Sequence, residues 1–587
     1  MSPDGITLSL IVKELQELLL QGRVEKILQP EQLVVIITIR RPGASFHLLL
    51  SAQAENARVH LTNREKGKKN SSPPLFCLVL RKHLEGSRLI KIEQEDLDRI
   101  LYFTFSGIGE TGELQEKILV VEIMGKHSNI ILVDPKTRMI IDGIKRYSHA
   151  LSRHREVLPG RPYIAPPAQN KVDPRHLDEE SFREILLRNP LEKRVEEIIF
   201  RNIAGIGPTL AREIVTRAGL DGDLCLEFCG EHELRVLWSG FQKVVTPLLD
   251  GNYQPTLIFD NNRPVCFAPL PLEQYSGFRS QPQETINQAI DLYYQEKIRA
   301  QQFQQLLNHL RNTVEREWAR CLKKLDLQEE ARSEAEQAEK YRILGETLLA
   351  HLHLVSRGQK EAVFPNIYNP EGPPVKIELN PALTPAENAQ QIFRRYNKAR
   401  NTLKIIEKQI SQTQDELQYL ASVRTALEQA ETLEELEEIR AELEEAGYLQ
   451  PKTREGKKNH KRTAKPQILR LRSRDGFEIL VGKNNKQNDY ITMRLAKSED
   501  LWLHVKDAAG AHVVIKSQPG REIPLSTLEQ AAKIAAYYSE ARNSSKVPVD
   551  YTKRKNVSKP QKARPGFVVY ENYETILVNP ELPENKD

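Results

Sequence analysis

The sequence predicts an α+β multidomain protein, on three observations. Short runs rich in β-branched residues, separated by turn residues, fill most of residues 1–168. Helical periodicity then surrounds a Gly-containing turn at 203–211, inside a segment spanning 169–285. Two stretches, 286–345 and 386–446, carry apolar residues at alternating steps of three and four, the pattern of a coiled-coil seam.

In the first domain the strand candidates are 24–29, 33–40, 46–51, 58–62, 88–94, 100–105, 117–124, 129–134 and 139–146. An amphipathic helix precedes them and a second, 74–84, interrupts them, so a sandwich or half-barrel with flanking helices is expected. Asp98 and Arg99 open one strand directly after the acidic turn 93–96. Glu122 to Asn129 lies between two strands, where a Gly-containing turn exposes backbone and polar side chains.

Residues 170–285 read as helical. Ile203 to Ala211 fits a helix-hairpin-helix: Gly205 and Gly207 allow a tight turn, and amides at the following helix N-terminus suit a phosphate. The same hairpin serves equally as a plain packing unit. Cys225, Cys229 and His232 lie close in sequence but lack a fourth ligand, so no metal is expected.

The seams at 286–345 and 386–446 have about 60 residues each, or about 90 Å of helix. The second meets no Gly until Gly447. The intervening 346–385 is too short to return the chain for parallel pairing, so an antiparallel hairpin with a tip is expected. The tip carries strand candidates at 363–368 and 375–379, then Thr384 as N-cap, Pro385 at the first helical position and Glu387.

From 451 the chain turns basic: ten Lys or Arg stand in 451–474 against Glu455 alone, after an acidic run from Glu431 to Glu445. A small α/β domain follows, with strands at 501–505 and 511–516 around the turn 506–510 and an Ala-rich helix at 527–539. Residues 542–564 hold eight Lys or Arg against Asp550, with Tyr537, Tyr538 and Tyr551 interleaved. Cations with aromatics on a small sheet suit RNA. The candidate RNA or phosphate contacts are therefore Gly205, Gly207, Trp502, His504, Lys506, His512, Lys516, Tyr551, Lys553, Lys555, Lys559 and Lys562. For Trp502 a core position is the alternative, and for His504 and His512 a satisfied polar position near the turn.

No run of about 18 apolar residues exists, and the start lacks a basic region and small-residue cleavage site. Five Cys in 587 residues fit a reducing, cytoplasmic setting. No P-loop, G-x-S-x-G or H-E-x-x-H motif occurs. The expectation is a binding factor with no catalytic residues, no cofactor, no metal and no membrane contact.

Six separated segments together resemble the NFACT family of ribosome quality-control factors: Asp98-Arg99; Glu122 to Asn129; 203–211; Leu383 to Gln390; Asp500 to His504 with Gly510 to Ile515; and Asp550 to Thr552 with Val557 to Pro560. The resemblance covers nearly the whole chain. It implies binding, as a monomer, to a large ribosomal subunit (rRNA and proteins) that still holds peptidyl-tRNA. It further implies recruitment of alanyl-tRNA and mRNA-free C-terminal alanine tailing, with peptide transfer left to the ribosome. It implies tRNA contacts at Asp98, Arg99, Glu122, Ile123, Met124, Lys126 and His127. Four parts follow: 1–168, 169–285, 286–450 with a tip at 346–385, and a basic linker with an RNA-binding domain at 451–587.

The first two parts also resemble the formamidopyrimidine-DNA glycosylase fold, a β-sandwich followed by a helical hairpin. Those enzymes use an N-terminal Pro as nucleophile. This chain begins Met1-Ser2-Pro3, so that secondary amine is missing. A DNA-repair protein and a fibronectin-binding surface adhesin, the family's older label, are the rival readings.

Overall fold

The computed structural model describes residues 2–63, 72–109, 112–150, 154–261, 263–450, 466–561 and 563–582. It divides into two units, Met1–Ala300 and Gln301–Asp587.

In the first unit, the Asp4 carboxylate accepts the Thr7 N–H at 2.9 Å and so starts α1 (Gly5–Leu19). Strands β1 (Arg23–Glu31), β2 (Val34–Arg41), β3 (Ala44–Ser51) and β4 (Arg58–Leu61) follow, then α2 (Leu75–Leu84). The strands resume with β5 (Arg88–Gln94), β6 (Ile100–Ile108), β7 (Leu114–Glu122), β8 (Asn129–Val133) and β9 (Ile140–Gly143). All nine candidates form strands. They join in one antiparallel sheet ordered β4-β3-β2-β1-β5-β6-β7-β8-β9. Its two halves join where Arg23 lies opposite Arg88, with backbone hydrogen bonds between residues 21–24 and 86–89 on either side. Leu48 and Leu50 from one half, and Val121 and Leu132 from the other, share the core of Ile11 and Leu15 on α1. Alternate residues of β7 and β8 face a second core with Ile100, Val120, Ile131 and Val157.

Four helices come next: α3 (Glu179–Leu187), α4 (Val195–Asn202), α5 (Pro208–Arg217) and α6 (Glu231–Leu249). The all-helical expectation for 170–285 fails after α6. Strands β10 (Thr256–Asp260), β11 (Arg263–Ala268) and β12 (Arg279–Pro282) form a three-stranded sheet. Pro264 inside β11 and Pro282 at the end of β12 hide those two runs from a strand pattern.

The helix α7 (Ile286–Ala335) begins on a buried carboxylate. Glu14 of α1 accepts the Ile286 N–H (2.8 Å), the Asn287 N–H (3.1 Å), the Asn287 side-chain amide (2.6 Å) and the Tyr253 hydroxyl (3.0 Å). Four donors satisfy a charge that is only 5% exposed.

In the second unit, α7 breaks before α8 (Ala338–Ala350). Strands β13 (Glu361–Phe364) and β14 (Val375–Glu378) pair antiparallel between α8 and α9 (Pro385–Gln429). Thr384 caps α9 in a reciprocal box with Glu387, as the sequence predicts. Helices α7 and α9 run antiparallel. Glu315 meets Arg424 at 3.0 Å, Arg320 meets Glu416 at 3.1 Å, and the Thr413 hydroxyl donates to Gln328 at 2.9 Å. Leu310, Val314 and Cys321 bury against Leu420, Val423 and Leu427.

The second long stretch is not one helix. It stops at Gln429, and α10 (Leu433–Glu445) restarts on a capping box between Thr432 and Glu435. No Pro or Gly marks the break; the box supplies its own helix start. The apolar side of α10, with Leu436, Ile439 and Leu443, joins the α7–α9 core.

Strands β15 (Leu469–Arg472) and β16 (Glu478–Gly482), helix α11 (Asn485–Tyr490), β17 (Leu501–Val505), β18 (His512–Ile515), α12 (Leu525–Tyr537) and β19 (Val547–Lys553) build the last domain. The short pair β20 (Val557–Ser558) and β21 (Val569–Tyr570), and then β22 (Glu574–Val578), complete it. The main sheet runs β15-β16-β18-β17-β19-β22. Helix α12 buries Ala531, Ala532 and Ala535 on one face against Leu503, Val513 and Ile515.

The acidic side of α10 does not stand free in solvent. Glu438 accepts from Asn484 and Gln487 at 2.9 and 2.8 Å, and Lys483 lies 3.3 Å from Glu431 and 3.4 Å from Glu435. At the centre, Glu442 is 2% exposed and accepts from Asn485 at 2.9 Å. Burial pushes its carboxyl up to about 7; the Asn485 hydrogen bond and the Lys486 charge oppose the rise, and the Asp489 charge adds to it. A folded-state value above the unfolded one favours the protonated form. The resulting stabilisation is present below about 4.5 and is lost as pH rises through about 7. Glu442→Gln is therefore expected to flatten the fall in melting temperature between about pH 5 and pH 8. Parallel parent and variant profiles would contradict this.

Candidate nucleic-acid interface

Two predicted sites meet in the first unit. A cleft of about 820 Å³ is lined by Asp98 and Arg99 ahead of β6, by the turn Gly205–Gly207 between α4 and α5, by Ser2–Asp4, and by Gln169 and Lys171. Gly205 must be glycine: its φ is +75°, and a Cβ there would lie 2.9 Å from the Leu97 Cβ. Its carbonyl accepts the Ile6 N–H at 3.0 Å, which ties the hairpin to α1.

The phosphate reading of Gly207 requires correction. Its N–H already donates to the Asp4 carboxylate at 3.0 Å. Burial raises the Asp4 carboxyl above its ordinary value, and the Thr7 and Gly207 amides and the Arg99 charge oppose the rise. This hairpin packs on the chain's own N-terminal segment.

Arg99 is half-buried, and its guanidinium makes no hydrogen bond or ion pair among the described residues. No close Asp98–Arg99 ion pair forms among them. Asp98 is also half-buried. Burial raises its carboxyl, Arg99 opposes the rise, and Glu95 and Asp96 add to it. Gln169 donates weakly to it at 3.4 Å. Lys171 donates to the Phe200 carbonyl at 2.9 Å; burial and the neighbouring Arg99 charge lower its pKa. The cleft thus presents one uncommitted guanidinium beside an acceptor carboxyl, a pair able to grip a phosphate or hydroxyl and a base edge. Asp4, Gln169 and Lys171 escaped the sequence reading because no local motif marks them.

The 122–129 turn backs this cleft rather than lining it. The Ile123 N–H donates to the Arg99 carbonyl at 2.9 Å, and Ile123 is buried. Glu122 cannot reach a ligand as expected: it is wholly buried. Arg155 donates to both its oxygens, at 2.6 and 2.5 Å, and Tyr163 donates at 3.0 Å. Burial works against the Arg155 charge, but the Glu122 bonds and charge overcome it and raise its pKa. Met124 is half-buried on the second core, whereas Lys126 and His127 are exposed on a single turn of tight helix. A buried Glu at a strand end signals a buried cation partner, but sequence spacing does not locate Arg155.

In the C-terminal domain, the candidates divide. Trp502 is fully buried with Leu480, Ile491 and Val514, and its indole N–H donates to Thr492 at 3.2 Å. It is a core aromatic and not an RNA platform. His512 is buried, and its Nδ1 sits 2.8 Å from the Thr492 hydroxyl. Burial lowers His512 well below its ordinary value and lowers His504 to about 4, so neither offers a cation to phosphate at neutral pH. Lys516 is held by Asp500 and by the Leu495 carbonyl at 3.0 Å. The Tyr551 hydroxyl donates to Glu574, a bond that leads its rise to about 12.

The remaining cations are better placed. Lys553 and Lys555 share Glu499 at 2.8 and 3.1 Å and stay about half exposed. Lys506 lies 5.7 Å from the Tyr573 ring, and Lys559 pairs with Asp489. Arg542, exposed and not singled out as a site residue, stacks 3.9 Å over Tyr537. Surface ion pairs are weak, so a polyanion can displace them. Lys562 and residues 451–465 of the basic linker lie outside the described residues.

Residues 467–572 match the domain described as the NFACT protein RNA binding domain. The chain is 38% identical over 581 residues to the Rqc2 homolog RqcH of Bacillus subtilis (strain 168), covering 99% of this chain and 98% of that one. It is 37% identical over 584 residues to the Rqc2 homolog RqcH of Streptococcus suis (strain 05ZYH33), with the same two coverages. A solved N-terminal portion of the fibronectin/fibrinogen-binding protein from Streptococcus suis aligns with 50% of this chain and 98% of its own, at 32% identity and a TM-score of 0.41. Residues 4–462 match the NFACT N-terminal and middle domains, and with these matches the chain belongs to the NFACT family.

Proposed function

We propose that this protein is a ribosome quality-control factor. It binds a large ribosomal subunit carrying peptidyl-tRNA, recruits alanyl-tRNA and promotes alanine tailing of the stalled chain without mRNA. It performs no bond chemistry itself. The observation that carries the reading is the Arg99 guanidinium, uncommitted in a cleft beside Asp98. Family membership says which RNA the cleft is to be tested against. Among the described residues no helix is long and apolar enough to cross a membrane, and the reading places the protein in the cytoplasm.

The test is to tag the protein, recover it from cells and sequence the RNA that comes with it. Recovery of tRNA and large-subunit rRNA supports the reading; RNA at the level of an untagged control overturns it. Affinity for purified large subunits is also expected to fall about tenfold or more between about 50 and 200 mM salt, because many Lys and Arg contacts release counterions. Affinity flat across that range would count against a phosphate-based contact.

A further inference from the structure

We infer that the acidic side of α10 is an internal mimic of a nucleic-acid strand, an autoinhibitory contact that occupies a phosphate-binding patch at residues 483–487 until RNA displaces it. Glu435, Glu438, Glu442 and Glu445 follow one another at steps of three and four, so they share one side of α10 along about 15 Å. Glu431 extends the row just before the helix. The row repeats negative charge at regular intervals, as a nucleic-acid strand does.

Every member of the row ends on one short stretch of the C-terminal domain. Lys483 takes Glu431 and Glu435, and Lys486 pairs with Glu445 at 2.9 Å. Asn484 and Gln487 donate to Glu438, and Asn485 donates to Glu442. Beside them the Arg564 guanidinium lies 4.6 Å from the Tyr419 ring and donates to the Tyr448 hydroxyl at 3.1 Å. Ammonium, carboxamide and guanidinium groups are the donors that hold phosphate oxygens without reading a base.

The joint lacks the apolar contact that would make it permanent. Leu436, Ile439 and Leu443 face the α7–α9 core, and that core shares no residue with the two cores of the C-terminal domain. Among the described residues the contact between α10 and 483–487 is polar, the character of an interface that opens and closes. Carboxylates in such a joint exchange for phosphates where phosphate is dense. Lys553 and Lys555 stay about half exposed and serve a first encounter while the patch is covered.

This inference rests on the RNA-binding reading above, and the experiment separates the two. Two full-length variants are compared with the parent. One carries Glu435→Gln, Glu438→Gln and Glu445→Gln; the other carries the same number of changes at exposed glutamates of the same stretch, Glu428→Gln, Glu434→Gln and Glu437→Gln. The probe is a hydroxyl-ended, mixed-sequence RNA duplex. The first variant is expected to bind it about tenfold more tightly than the parent, and the second less than about threefold more tightly, although both lose the same charge. Adding Lys483→Gln and Lys486→Gln to the first variant is expected to remove the gain. In the parent, carbodiimide coupling of Lys486 to Glu445, read by mass spectrometry, is expected to fall by more than half under saturating duplex. Equal affinities in the two glutamine variants, a gain that survives the lysine changes, or coupling that RNA leaves unaltered overturns the proposal; a parent that still binds the duplex then leaves the RNA-binding reading standing. A parent and variants that bind no RNA overturn both.

Discussion

Replacing Arg155 with Ala is expected to destabilise the first unit by about 3–5 kcal/mol. The substitution strands a wholly buried Glu122 carboxylate, which now accepts from Arg155 twice and from Tyr163 once. The large term is the desolvation of the remaining charge, not the attraction lost. Glu122→Gln in the same chain is therefore expected to recover part of the loss, because a neutral amide costs less to bury. Thermal melting of the two single variants and the double variant measures this as a cycle. Additive losses would show that the pair is not coupled. Because Ile123 donates to the Arg99 carbonyl, the Arg155→Ala chain should also bind RNA more weakly, although Arg155 does not line the cleft.

Asp98→Ala combined with Arg99→Ala is expected to do the opposite: little change in melting and a large loss of tRNA. Neither side chain makes a strong contact among the described residues, since the one hydrogen bond to Asp98 is 3.4 Å long. Removing them leaves no stranded partner. Removing Asp98 also relieves a carboxyl that burial holds above its ordinary value. A charge-assisted contact contributes roughly 1–3 kcal/mol, so two lost contacts reduce tRNA recovery by one to several factors of about ten. On the proposed function, large-subunit association should persist, because dispersed exposed cations such as Lys553 and Lys555 are left in place. RNA sequencing beside a melting curve decides the matter. Parental tRNA recovery, or a large fall in melting temperature, would remove these two residues from the site.

The strands were legible because β-branched runs bounded by turns leave few alternatives; β5, at 88–94, has the predicted limits. The start of α9 was legible because Thr384, Pro385 and Glu387 form a local signal. What sequence did not expose was partnership across the chain. Glu122 looked like a turn residue available to a ligand, because Arg155 lies 33 positions away. Gly207 looked like a phosphate donor because Asp4 stands 203 positions before it. Trp502 alternates onto a face that Ile491, Leu495, Val557 and Tyr570 cover, and strand periodicity cannot tell a covered face from an open one. The break at Ala430 lies within an uninterrupted seam, and only the box at Thr432 and Glu435 hints at it.

The donors to Glu14 set an order for synthesis. The carboxylate is made at the start of the chain, yet three of its four donors belong to Ile286 and Asn287, more than 270 positions later. Until those residues leave the ribosome, the emerging N-terminal sheet must bury an unmatched charge or keep its core open. Completion of this unit is thus timed by the arrival of the α7 root, not by the last strand of the sheet. A fragment ending at residue 285 should melt well below one ending at residue 300, although the two differ by only one helical stretch.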